Sequence, residues 1–146
     1  MRRGAFASIL SQNLTGFPFT AYSPKNLLIL KLALRATMDE LQAKKLGIML
    51  SLPPSHPNVE TVLRLTEEAL RMKVDVYLYL IDEGVKNLKN PAIVNLTNSG
   101  AKLNVCAYGC QQHKVSTEGY GQAVTFCGLV VLYQIITGCD RFLAFN

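Results

Sequence analysis

The chain contains no tryptophan, and its six tyrosines and six phenylalanines are scattered along 146 residues. That distribution offers no aromatic platform on which nucleic-acid bases could stack. No apolar run reaches the roughly 18–20 residues that a membrane-spanning helix needs, so we expect no membrane span. Charged residues make up 17% and hydrophobic ones 49% of the chain. This balance predicts one globular domain with a core of its own and argues against disorder.

Acidic residues are missing from the first 37 positions, which hold five of the fifteen basic residues. The other ten basic residues lie from Met38 onward, where they balance all ten acidic ones. The formal charge of +5 therefore belongs to residues 1–37, and a domain over 38–146 has no basic excess for nucleic acid.

We interpret residues 1–37 as a basic leader that is disordered or lies upstream of a true start at Met38. A transit peptide is a second interpretation, and a helix over 26–35 that packs on the domain or on a partner is a third. None of these is an ordinary secretion signal. Cysteine is confined to the last third of the chain, and without such a signal the four thiols are expected to be free in a cytoplasmic protein.

Short apolar runs bounded by proline, glycine and acidic residues predict strands that alternate with helices. This order predicts an α/β fold with a mainly parallel sheet covered by helices on both faces. The expected strands are 46–52, 74–81, 101–108 and 140–145. The expected helices are one capped by Asn58, one capped by Asn90 that ends near Gly100, and a strongly apolar one over Gln122–Thr137.

The apolar helix over Gln122–Thr137 has hydrophobic residues around its whole circumference. Such a helix must be buried on more than one side. It therefore predicts an interface between copies of the chain.

Cys106 lies near the end of the third expected strand, at the edge of the sheet where ligands gather in open α/β folds. A thiol is reactive there when positive charge or backbone N–H groups stabilise its thiolate, and His113 and Lys114 follow within reach. Cys110, four residues on, could resolve an oxidised or persulfidated Cys106. The plainer interpretation is that Cys106 is a small buried apolar residue and Cys110 a loop thiol.

A metal site is a further use for such a cluster, but the spacing of Cys106, Cys110 and His113 is uncommon for zinc and a fourth ligand is lacking. Glycine-rich nucleotide motifs and the serine-hydrolase motif are absent. We therefore expect no metal and no cofactor. Cys127 and Cys139 are interpreted as structural.

Two segments resemble the DsrE/TusD sulfur-relay family (the DsrEFH superfamily): Leu103-Asn104-Val105-Cys106 followed by Val115, and Phe126–Leu129 with Cys139–Phe145. The resemblance covers residues 44–146 and none of the leader. It implies a flavodoxin-like sheet, assembly into homotrimers or hexamers, and a persulfide on Cys106. The sequence departs from TusD-type relatives at 110–114, where they tend to have small residues and then Arg-Gly.

The resulting hypothesis is a small sulfur carrier that takes sulfane sulfur from a donor protein onto Cys106 and passes it to an acceptor protein. His113 and Lys114 would help to keep the thiolate. The alternative is a non-catalytic oligomeric subunit or scaffold with structural cysteines. Solvent access to Cys106 separates the two.

Overall fold

The computed structural model describes residues 28–35 and 44–146. The chain divides into two units, Met1–Thr37 and Met38–Asn146. In the first unit, residues 28–35 form helix α1, whose large apolar side chains are exposed. The expected start at Met38 and the first two residues of the expected leader helix, 26 and 27, lie outside the described residues. Neither described range contains a helix long and apolar enough to span a bilayer.

Five strands of the second unit form one parallel sheet in the order β4-β3-β2-β1-β5. Four of the five were expected from the sequence, and β4 was not. The strands are β1 (Lys45–Leu50), β2 (Asp75–Leu80), β3 (Lys102–Cys106), β4 (Val124–Cys127) and β5 (Arg141–Phe145).

Helices cover both faces of this sheet because the chain reverses direction once. It steps from β1 to β4 one strand at a time and then returns past β1 to β5, so right-handed crossovers place the last helix on the opposite face. The predicted flavodoxin-like α/β architecture is confirmed. The α-helices are α2 (Asn58–Arg71), α3 (Pro91–Asn95), α4 (Ala107–Gln112) and α5 (Leu129–Gly138), with 3-10 helices at Asp82–Lys89, Leu96–Ser99 and Gly121–Ala123.

The main core lies on one face of the sheet. It is covered there by α2 and by the helical segments that follow β2. Alternate side chains of the central strands point to this face and are completely buried, as apolar residues of a covered parallel sheet should be. The same core takes Val59, Val62 and Leu63 from α2 and Ile93 from α3. The buried strand residues are Ile48, Leu50, Val76, Leu78, Leu80 and Val105.

The predicted helix over Gln122–Thr137 is wrong in its first half. Val124–Cys127 is strand β4, and α5 begins only at Leu129, after Gly128. A short apolar stretch cannot be assigned to strand or helix from periodicity alone, and β4 exists because it pairs with β3. The interface prediction therefore applies to α5 alone.

Two local predictions are also wrong. Residues 107–112 were expected to finish a strand and begin a loop, but they form α4 directly after Cys106. Asn58 was expected to cap α2, whereas the N-cap is Pro57 and the backbone N–H of Asn58 donates to Nδ1 of His56 at 3.2 Å. The Asn90 cap is confirmed, since its side chain accepts the N–H of Ala92 at 3.0 Å.

The loops after β1 and β2 are joined by direct backbone packing. A Cβ on Gly84 would lie 2.0 Å from the carbonyl oxygen of Leu50. The buried side-chain amide of Asn87 donates to the carbonyl groups of Leu52 and Gly84, each at 2.9 Å. The 3-10 helix after β2 is thus fixed against the end of β1.

We expect Gly84→Ala to lower the free energy of unfolding by about 2–3 kcal/mol, because the backbone oxygen it meets cannot move aside without disturbing β1. Gly138→Ala is the matched control. A Cβ there has open space, and alanine suits a helix end, so stability should hold or rise by up to about 1 kcal/mol. Urea denaturation measures both. Equal midpoints for the two variants would contradict this account of the close contact.

Candidate functional site

A cavity of about 340 Å³ opens at the carboxyl edge of the sheet, between the ends of β2, β3 and β4. This is the edge at which open α/β folds bind ligands. Each of the three strands, or the segment after it, supplies part of the wall. The lining residues are Ile81, Asp82, Cys106, Tyr108, Gly109, Gln112, His113, Gly128 and Leu129.

Cys106 is both the last residue of β3 and the N-cap of α4. Its sulfur accepts the backbone N–H of Gly109 at 3.4 Å. The residue is only 5% exposed, so the cavity is its route to other molecules. The lack of a side chain at Gly109 lets the first turn of α4 pack closely against Val85, since a Cβ there would lie 3.0 Å from the Val85 side chain.

His113 lines the same cavity but faces carboxylates. Its Nε2 lies 3.2 Å from Oδ1 of Asp82, and its Nδ1 lies 3.4 Å from Oε1 of Glu83. Asp82 holds a left-handed backbone (φ 50°), a conformation that aspartate tolerates and that often occurs at functional sites. When protonated, His113 would form ion pairs with both of these carboxylates, which we call the acidic rim.

The other two predicted site residues lie outside the cavity wall. Lys114 is exposed, with a left-handed backbone (φ 51°). Cys110 is 1% exposed and packs into the core from α4. Burial raises the pKa of the Cys110 thiol, and the nearby sulfur of Cys106 adds to that rise. The structure thus brings Cys106 and His113 to one cavity and places Cys110 beneath it.

Tyr79 is a site residue that sequence reasoning missed. Its side chain is fully buried on β2, and its hydroxyl donates to the carbonyl of Gly128 at 3.1 Å. The thiols of Cys106 and Cys127 lie close enough to influence the ionisation of this hydroxyl. Burial raises the pKa of Tyr79 well above its ordinary range, and the two thiols raise it further. Tyr79 therefore stays a neutral donor beside two cysteines.

Cys127 is the second residue that was missed, because it was assigned to a helix. It ends β4 and is the direct partner of Cys106 in the parallel pairing of β3 with β4. Burial raises the pKa of Cys127, while the Val105 backbone and the Tyr79 hydroxyl act in the opposite direction. Assigning β4 as a strand that ends beside β3 would have identified this pair.

Cys139 lies far from this cluster, at the start of β5 and the opposite edge of the sheet. It lines a smaller cavity of about 200 Å³ with Lys45, Tyr77 and Asn104. All four cysteines are free thiols. In the part of the chain that the structure describes, no three His, Cys, Asp or Glu side chains are grouped to hold a metal ion.

No protein-family model matches the sequence, and no curated protein matches it. Two solved structures are similar in fold. The ychN protein from E. coli is 20% identical with a TM-score of 0.61, covering 71% of this chain and 100% of its own. BT1422 from Bacteroides thetaiotaomicron, a conserved protein of unknown function, is 17% identical with a TM-score of 0.57, covering 70% and 95%.

The domain shares the α/β fold of ychN. At this level of identity the likeness extends to architecture alone. The chemistry of Cys106 therefore depends on its own surroundings in this chain.

The contact between Tyr79 and Cys127 predicts a change in thiol ionisation. Because the pKa of Cys127 is raised, its alkylation by iodoacetamide should reach half its maximal rate at a higher pH than that of a free cysteine, about 8.5. Tyr79→Phe removes a donor to the thiolate and should move that pH further up. Peptide mass spectrometry in a Cys139→Ser background follows Cys127 alone.

Tyr77→Phe is the matched control for this measurement. It removes a hydroxyl on the same strand that contacts Lys102 at 2.9 Å rather than the thiols. Its alkylation profile should match that of the parent. An unchanged profile in Tyr79→Phe would show that the hydroxyl has no part in setting Cys127 ionisation.

Proposed function

We propose that this protein carries sulfane sulfur as a persulfide on Cys106 and delivers it to a partner protein. The observation that carries the proposal is the setting of Cys106. Its sulfur lines a cavity at the carboxyl edge of the sheet and accepts the backbone N–H of Gly109, in the first turn of α4. A DsrE/DsrF-like fold and the sequence resemblance at Leu103–Cys106 support the same function.

The transfer consists of two thiol exchanges. The Cys106 thiolate attacks the outer sulfur of a donor persulfide, R–S–SH, so the bond between the donor's two sulfurs breaks and R–S⁻ leaves. An acceptor thiolate then attacks the outer sulfur of Cys106–S–SH, and the Cys106 thiolate leaves. Each step is redox-balanced between donor and acceptor, so the proposal requires no flavin, nucleotide or metal.

The charged groups at the rim have supporting roles in this proposal. His113, held by Asp82 and Glu83, orders the wall beside Cys106, and Lys114 offers exposed positive charge near the entrance. Cys110 is the thiol that sequence reasoning assigned to resolving the persulfide. A cytoplasmic location belongs to the same proposal, since reduced thiols persist there.

Incubation with thiosulfate or polysulfide should add about 32 Da, the mass of one sulfur, to a Cys127→Ser/Cys139→Ser variant, which keeps Cys106 and Cys110. Cys106→Ser should not gain this mass, because the accepting thiolate is missing. Intact-mass spectrometry under non-reducing conditions gives the readout. Equal sulfur uptake by Cys106→Ser, or failure of the Cys127→Ser/Cys139→Ser variant either to keep added sulfur or to release it as sulfide, would refute the carrier function.

A second candidate, an oligomeric subunit without chemistry of its own, is favoured by the outer face of α5. Leu129, Val130, Tyr133 and Ile136 are exposed there, with Val130 at 72%. An apolar face of this kind marks an interface. We propose that a second copy of the chain covers it, in a homotrimer or hexamer, and the carrier function is compatible with that assembly.

Val130→Glu should reduce the assembly to a single chain, since a charge at the centre of this face cannot be buried unpaired. Thr61→Glu adds the same charge to an exposed position of α2 and should leave the assembly intact. Light scattering coupled to size-exclusion chromatography measures the mass of each. A wild-type protein that elutes as one chain would exclude the interface.

A further inference from the structure

Cys106 and Cys127 stand opposite each other at the ends of two paired strands. Adjacent strands lie about 4.8 Å apart, so paired Cα atoms fall within the separation of about 4.4–6.8 Å that a disulfide spans. The two side chains also leave the same face of the sheet, because they share a register position. Both thiols also lie close enough to the Tyr79 hydroxyl to influence its pKa.

The other two thiols are less well placed to react with Cys106. Cys110 is near it but is 1% exposed and held in the core by α4. Cys139 precedes β5 at the opposite edge of the sheet. Cys127 is only half-buried, and the residue after it, Gly128, lines the cavity.

We propose that Cys127 is the resolving thiol of the site: it displaces the outer sulfur from a persulfide on Cys106 and closes a Cys106–Cys127 disulfide. This step rests on the proposed carrier function and identifies a second outcome for the carried sulfur. Without an acceptor protein, the sulfur is released as sulfide.

The step balances without an added oxidant. The Cys127 sulfur attacks the Cys106 sulfur, a new S–S bond forms between them, and the bond to the outer sulfur breaks. The proton of the Cys127 thiol passes to the leaving hydrosulfide, giving H₂S. The sulfane sulfur is reduced and the two thiols are oxidised, so an external dithiol must reopen the disulfide before another cycle.

Two double variants test this pairing. Cys110→Ala/Cys139→Ser leaves only Cys106 and Cys127, and Cys127→Ser/Cys139→Ser leaves only Cys106 and Cys110. Each is treated with polysulfide, freed of donor by gel filtration, and alkylated. Trypsin then cuts after Lys114 and separates the peptide 103–114, with Cys106 and Cys110, from the peptide 115–141, with Cys127 and Cys139.

The first variant should lose about 2 Da, yield peptides 103–114 and 115–141 joined by a disulfide, and release about one sulfide per chain. The second should keep the added mass of about 32 Da and release little sulfide. Circular dichroism verifies that both variants fold. Should Cys127→Ser disturb the fold, Cys127→Ala replaces it.

The outcomes separate this step from the carrier function. Added sulfur that persists in the first variant, with no joined peptides, overturns the role of Cys127 and leaves the carrier function standing. Sulfide release by the second variant, with a disulfide inside 103–114, assigns resolution to Cys110 instead. Absence of added sulfur and of disulfide from both variants contradicts the carrier function and, with it, this step.

Discussion

The register of three neighbouring strands determines the site. Tyr79 of β2 pairs with Asn104 of β3, which pairs with Thr125 of β4, and two residues further on Cys106 pairs with Cys127. Because side chains alternate between faces, this register sends a hydroxyl and two thiols to the same side of the sheet. A slip of β4 by a single residue would turn Cys127 to the opposite face and separate its thiol from Cys106 and Tyr79.

One face of the sheet contributes most of the stability of the domain, and the other face carries the thiols of the candidate site. One face meets α2 and the segments after β2 in a dense apolar core that holds the strands in place. Within the described residues 44–146, the other face is covered by α5, ten residues long, and carries polar groups such as the exposed Lys102 and the buried Asn104. A partly covered face is acceptable because the first face supplies the burial that fixes the register.

Local sequence patterns predicted the α/β class, four strands and the position of Cys106, since each depends on short-range hydrophobic runs and breaks. They could not find β4, because four residues directly before an apolar helix acquire strand structure only by pairing with β3. Tyr79 and Cys127 were missed for the same reason. Each belongs to the site because of the residues beside it on neighbouring strands. That pairing joins distant parts of the chain and cannot be recognised from a single sequence.

The N-cap role of Cys106 links its chemical state to local structure. The Cys106 sulfur, on which the proposed persulfide would form, also accepts the N–H of Gly109 in the first turn of α4. Any bond made at that sulfur changes the acceptor and therefore the start of the helix. Because Tyr108 and Gln112 of α4 face the exterior at the cavity mouth, a docking protein would meet a different surface on an empty chain than on a loaded one.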